Sequence, residues 1–277
     1  MQSPRYFVFD VESVADGELI SKIRYAGQGL SAAEAVAQYR QELMEKYDTD
    51  FIPYTYQIPI SVAIAKLGAD YRLLDLVVLD EPQFRPHVIT EYFWRGWDRY
   101  GRPTLVSFNG RTFDLPLLEL AAFRYGISVP AWFNLESSAY EQNRNRYNTR
   151  AHIDVQELLT NFGSARFSGG LNLAASVLGK PGKMDVQGYM VQDMYDQGRL
   201  LEINNYCRCD VLDTYFVFLR SRVLIGKITL EQEQEIIAAA KEYLETSAEA
   251  VPAYREYLNR WGDWKNPWEA AAANDNA

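Results

Sequence analysis

In the stretch YFVFDVES, an apolar run leads straight into Asp10 and Glu12, with only Val11 between them. A β-strand turns residues i and i+2 to the same face. The two carboxylates therefore stand side by side where the pattern predicts that a buried strand, Arg5 to Asp10, emerges. Carboxylates held that close repel each other unless a proton or a cation intervenes. Two further segments deliver acids at the ends of regular elements. In SFNGRTFDLP a predicted strand ends, the chain turns at Asn109-Gly110, and Asp114 opens a helix. In NNYCRCDVLD, Tyr206 and Asp210 are four residues apart and share one face of a predicted helix. Asp213 lies three residues on, facing a neighbouring direction, and is expected to be solvated or to sit behind Asp210.

The elements that carry these residues alternate, in the first half, as in an α/β domain. Arg5–Asp10, Ile60–Lys66, Leu73–Leu79 and the PTLVSFN segment read as strands, with LGADY as a hairpin turn between the second and third. Ser31 with Glu34 three residues on predicts a capped helix through Tyr47. Val88–Tyr100, closed by Gly101, and Leu115–Tyr125, closed by Gly126, read as helices. The region from about 130 to 170 is polar and irregular and contains NRNRYNTR, an expected exposed loop. Helices follow at Leu171–Leu178, Gln187–Asp196, about Leu200–Val223, Leu230–Thr246 and Val251–Trp261. This places a core domain at about 1–225, a helical appendage at 226–266 and a disordered tail at 267–277.

The bulk properties set the outer bounds. With 277 residues, 48% of them hydrophobic, the chain can bury a sizeable core, and its net charge of −9 argues against coating nucleic acid by bulk electrostatics. A local basic groove or an acidic metal site remains compatible with that charge. No apolar run has membrane-spanning length and no signal peptide is evident, so a cytoplasmic location without membrane attachment is expected. Cys207 and Cys209 are too close in a helix to bridge and read as reduced packing residues. With two histidines in the chain, a zinc site is disfavoured.

In order, D-x-E, N-x3-F-D and Y-x3-D resemble the three exonuclease motifs of the DEDD superfamily. The tyrosine of the third motif marks the DEDDy branch, which includes the proofreading domains of DNA polymerases. The flanking text HIDVQELL, GKPGKMDVQG and YCRCDVLDTY is most similar to stand-alone bacterial exonucleases related to the proofreading domain of B-family DNA polymerases. This resemblance runs from about Arg5 to Arg220. It implies an α/β, ribonuclease-H-like fold: a mixed five-stranded sheet flanked by helices. It also implies two divalent cations, magnesium or manganese, held by Asp10, Glu12, Asp114 and Asp210. In such enzymes Asp10 would touch both ions, Glu12 and Asp210 would help hold the one carrying the attacking water, and Asp114 would act on the second. Tyr206 would orient the water, and the activity would be 3′-to-5′ release of nucleoside 5′-monophosphates from single strands. Hard oxygen ligands suit these ions, and two of them about 3.5–4 Å apart can clamp an in-line phosphoryl displacement.

Candidates for touching the substrate are Val11, Asn109, Arg111, Phe113 and Lys183. Asn109 more plainly fixes its turn, and Phe113 is equally a core residue or a wedge against terminal bases. Arg111 stands at the loop tip where a phosphate could be neutralised, and Lys183 matches a lysine of the most similar relatives. Arg144, Arg146 and Arg150 form a basic loop whose plainest reading is solvation. His152 is expected to pack or hydrogen-bond, and Tyr92, Phe93, Trp94 and Trp97 to fill core. The expected partner is single-stranded DNA, or RNA, with a free 3′ end, and the resemblance leaves room for a polymerase or repair partner. The competing readings are an exoribonuclease with the same metal site and a non-catalytic single-strand-binding module. A haloacid-dehalogenase-type phosphatase would want D-x-D-x-T where this chain has DVES.

Overall fold

Val8 points into the apolar cluster on one side of β1 (Tyr6–Ala15), while Phe7, Phe9 and Val11 point into the cluster on the other. Strand alternation therefore puts Asp10 and Glu12 on the Val8 side. The strand does not end at Asp10. It runs on because Ser13, Val14 and Ala15 keep pairing with Pro59, Ile58 and Gln57 across a bulge directly after Glu12. A bulge bends its strand and re-aims the neighbouring side chains, here next to the carboxylate pair.

Residues 3–182 and 188–268 are described in this computed structural model. β1 pairs antiparallel with β2 (Gln57–Leu67), which pairs antiparallel with β3 (Leu73–Val78). On its other edge β1 runs parallel to β4 (Thr104–Ser107), and β4 to β5 (His152–Asp154). The order β3-β2-β1-β4-β5 makes the mixed five-stranded sheet expected of a ribonuclease-H-like fold. β4 pairs with β1 only as far as Val8, so the chain after β4 turns away opposite Asp10 and leaves a cleft there.

Helices cover both faces. On the Phe7 side lie α3 (Pro86–Arg99) and α4 (Asp114–Tyr125), with Phe93, Trp94, Trp97 and Trp132 buried between them and the sheet. Tyr92 departs from the expected core role and is half exposed. Two short helices were not legible in the sequence. One is α1 (Gly17–Arg24), whose N-terminus is capped by Asp16 and whose Ile20 packs with Tyr39 and Leu43 of α2 (Ala32–Tyr47). A Cβ on Gly17 would meet the Ala32 carbonyl oxygen at 2.5 Å, so the close approach of α1 to α2 requires glycine. The other is α5 (Val155–Leu159).

On the Val8 side, α8 (Leu200–Leu224) lies across β1 and β2 and is buried over most of its length. α6 (Gly170–Ser176) and α7 (Val191–Asp196) pack beside it. α9 (Leu230–Ser247) and α10 (Pro252–Asn259) fold back onto α8, where Ile236, Ala240, Leu244, Tyr254 and Tyr257 join the same apolar cluster. Polar ties reinforce that packing. Tyr257 Oη donates to Asp213 Oδ1 at 2.6 Å, and Lys180 Nζ donates to the Gly262 carbonyl at 3.1 Å. Asp213 is thus fully buried under α10 rather than solvated. Among the described residues no helix is long and apolar enough to cross a membrane. Lys183 and the tail from 269 lie outside the described residues.

Candidate active site

Asp10, Glu12, Asp114 and Asp210, from β1, α4 and α8, line one open cleft of about 440 Å³ together with Val11, Asn109, Thr112, Phe113, Phe51 and Phe108. Glu12, Asp114 and Asp210 are buried, each less than a tenth exposed. All four acids singled out from the sequence are therefore brought together, although Asp10 and Asp210 are 200 residues apart in the chain.

The Asp114 carboxylate is held from two sides. The Val11 backbone N–H donates to it, which gives Val11 a structural part in the site. Behind it, Gly110 leaves just enough room: a Cβ there would sit 2.8 Å from Asp114 Oδ2 and 2.4 Å from Ser107 Oγ. Asn109 takes a left-handed conformation with φ of 67°, a conformation asparagine tolerates better than most residues. Its side-chain oxygen accepts from Thr112 Oγ1 at 2.9 Å, so it fixes the turn while standing at the cleft wall.

Asp154 anchors this turn to β5. Its carboxylate accepts from the backbone N–H groups of Asn109 (2.9 Å) and Arg111 (3.0 Å) across the sheet edge. It also accepts from Gln156 (3.0 Å) and Glu157 (3.2 Å), and so caps α5. Arg111 is turned the same way. Its Nε donates to Glu157 Oε2 at 2.7 Å, and it is absent from the lining of the carboxylate cleft. Arg146 Nη2 takes the other Glu157 oxygen at 2.5 Å, and Arg144 pairs with Glu119 at 2.8 Å. The two arginines are thus neutralised by partners in the fold. His152 is buried, with Ser107 Oγ 2.7 Å from its Nε2, in the packing role expected of it.

Tyr206 and Asp210 share a face of α8, and the tyrosine hydroxyl hydrogen-bonds the Asp210 carboxyl. Between them on the helix, Cys207 turns its thiol to β1, 3.4 Å from the Asp10 carbonyl oxygen and 3.8 Å from Asp10 Oδ2. Cys207 is more than filler, a placement its local sequence did not disclose. Phe113 packs partly against the aromatic cluster below and also lines the cleft.

Burial and neighbouring negative charge dominate the electrostatics. Burial, then the Asp114 carboxylate, pushes the Asp10 carboxyl up to about 8. Burial, with Asp154 and Asp210 nearby, pushes Asp114 up to about 7. Burial and the charges of Asp210, Glu12 and Asp10 drive the Tyr206 phenol far above its usual value. Such a set repels itself once ionised and is stabilised by cations. Asp10, Glu12 and Cys207 each offer a ligand atom within 4.8 Å of the others, a spacing that a single ion can span. Burial keeps the Cys207 thiol protonated, so the carboxylate oxygens are the available donors, and they suit a hard divalent cation.

A stability prediction follows from the sign of these shifts. The folded carboxyls of Asp10 and Asp114 hold their protons where the unfolded chain, near the ordinary aspartate value of 3.8, has lost them. The contribution of these two groups to the stability of the metal-free protein is then fully present below about 4 and is lost as pH rises towards about 8. Added magnesium or manganese should raise the melting midpoint distinctly more at pH 8 than at pH 5. A metal-induced shift of equal size at both values, read by scanning calorimetry, would count against cation binding by these groups.

A search of curated proteins returned no match. A family model described as a predicted 3′-5′ exonuclease related to the exonuclease domain of PolB matches residues 49–261. That match begins after β1, so it includes Asp114, Tyr206 and Asp210, while the sheet pairing of β1 with β2 and β4 supplies Asp10 and Glu12 to the same cleft. The chain belongs to this family of predicted 3′-5′ exonucleases related to the PolB exonuclease domain.

Proposed function

We propose that this protein removes nucleotides one at a time from the 3′ end of single-stranded nucleic acid, DNA in preference to RNA, releasing nucleoside 5′-monophosphates. The observation that carries the reading is the convergence of Asp10, Glu12, Asp114 and Asp210 around one open cleft, with Tyr206 buried behind it and hydrogen-bonded to Asp210. The DNA preference rests on the family's relation to the exonuclease domain of PolB.

Asp10, Glu12, Asp114 and Asp210 would hold two divalent cations, magnesium or manganese. Such ions, when bound, neutralise the phosphodiester and make a coordinated water acidic enough to attack. The chain's own residues do the rest. Water adds to the terminal phosphorus, the bond to the 3′ oxygen of the penultimate nucleotide breaks, and that oxygen leaves with a proton. Tyr206 keeps its own proton, because burial, and then the neighbouring carboxylates, hold its pKa far above the working range. It therefore orients the water and the Asp210 carboxyl rather than acting as the base. Tyr206→Phe should lower kcat about 100-fold, the scale of a misplaced reactant, with manganese affinity unchanged. A change in manganese affinity as large as the change in kcat would reassign Tyr206 to ligand support.

The reading is tested with paired 5′-labelled DNA and RNA oligonucleotides of one sequence, incubated in magnesium, manganese or chelator. A metal-dependent ladder shortening from the 3′ end, faster on DNA, is expected. A faster RNA ladder would make the protein an exoribonuclease. Intact oligonucleotides that nevertheless shift on a gel would make it a binding module.

A further inference from the structure

Among the described residues, Phe51 is the one large apolar side chain lining the cleft that is more than half exposed, at 59%. It belongs to the loop between α2 and β2, outside the acidic motifs. Its ring lies 5.6 Å from that of Phe113, centroid to centroid, at an interplanar angle of 52°. An exposed phenylalanine forfeits the gain of burial, and a core cluster lies one residue away, where Ile52 is buried with Ile20, Tyr39 and Leu43.

The loop is nevertheless tied down. The Phe51 N–H donates to Thr49 Oγ1 at 3.3 Å, Gln57 Nε2 donates to the Ile52 carbonyl, and Asp50 faces Arg40 at 3.6 Å. The ring is thus held outwards by its anchored neighbours. Beyond it lies a second cavity of about 260 Å³, lined by Glu12, Ser13, Arg40, Gln57 and Gln192 among others. Phe51, Phe113, Val11 and Glu12 line both cavities, so the ring pair forms part of the wall between them.

We propose that Phe51 is a substrate-positioning residue, stacking on the base of the 3′-terminal nucleotide and with Phe113 holding its phosphodiester over the four carboxylates. The inference rests on the nucleic-acid-processing reading of the site. A stacking face is the chemistry an enzyme needs when it must accept every base, since each offers a π-surface. The neighbouring cavity gives the strand room on the far side of the pair.

The experiment measures kcat/KM of the wild type, Phe51→Ala and Phe51→Trp on two single-stranded oligonucleotides. They differ only in whether the 3′-terminal residue carries its base or is abasic. Loss of one base stack corresponds to about a 5- to 160-fold fall in kcat/KM for Phe51→Ala on the base-bearing end, with recovery in Phe51→Trp and no difference between the proteins on the abasic end. An equal fall on both ends, or no fall, overturns the proposal. If the wild type cleaves neither oligonucleotide, the exonuclease reading fails. Anisotropy of the same labelled oligonucleotides in calcium then decides about Phe51 itself. Weaker binding of Phe51→Ala confined to the base-bearing end supports stacking, and equal binding by both proteins refutes it.

Discussion

Asp10→Ala is expected to lower metal-dependent nucleotide release by about a thousandfold or more while leaving the fold intact and, at pH 8, more stable. The catalytic half follows from position. Asp10 stands between Glu12 on its own strand and Asp114 across the cleft, and its loss removes the donor best placed to share cations with both. Charge stabilisation by a bound metal amounts to several kcal/mol in a phosphoryl transition state, and each 1.4 kcal/mol is a factor of ten in rate. The stability half follows from the raised Asp10 carboxyl, whose ionised form is disfavoured by burial and by Asp114. Alanine removes that repulsion. Turnover assays on the variant with thermal melts in chelator separate the two halves. Retained turnover would remove Asp10 from the reacting centre, and a collapse of the melt would make it a folding residue.

Asp154→Ala should act in the opposite sense, costing stability first and activity as a consequence. One buried carboxylate accepts four backbone N–H groups, those of Asn109, Arg111, Gln156 and Glu157. Alanine leaves the buried donors among them without partners, at about 3 kcal/mol or more in total. For a chain of this size that is a fall of roughly 6–12 °C in melting midpoint. Asp154→Asn should fall between the wild type and the alanine variant, because it keeps one acceptor but turns an N–H₂ group towards donors. Activity should fall with the same ranking, since the Asn109-Gly110 turn that Asp154 secures also sets the Asp114 carboxylate. A variant that melts like the wild type would show that the turn is held by other contacts.

The carboxylates were legible because each announces itself locally. Asp10 and Glu12 sit on a period of two at the end of an apolar run, and Tyr206 and Asp210 on a helical spacing of four. The capped helix from Ser31 to Tyr47 was legible for the same reason, with its reciprocal bonds between Ser31 and Glu34. What stayed hidden depends on partners distant in sequence. Nothing in the HIDVQELL text singles out Asp154, and its part in the site arises only when β5 pairs with β4 and brings it to the turn 43–45 residues upstream. Arg111 looked free because its partner Glu157 is 46 residues on. Asp213 looked solvated because nothing near it in sequence hints that Tyr257 of α10 will cover it. Phe51 gave no signal at all, since a single aromatic residue in a loop has no period to read. The strand carrying Asp10 was expected to end there, and its continuation to Ala15 is set by the length of β2, a pairing that local pattern does not reveal.

The four carboxylates are expected to form a cation-binding centre. Calorimetric titration of manganese into the chelator-treated protein, with a nucleoside 5′-monophosphate present to complete the site, tests it most directly. Two ions are expected to bind per chain in the wild type, with that binding lost in Asp10→Ala. A wild type that binds no manganese, or an Asp10→Ala variant that binds it as well as the wild type does, would rule out a cation centre at these carboxylates.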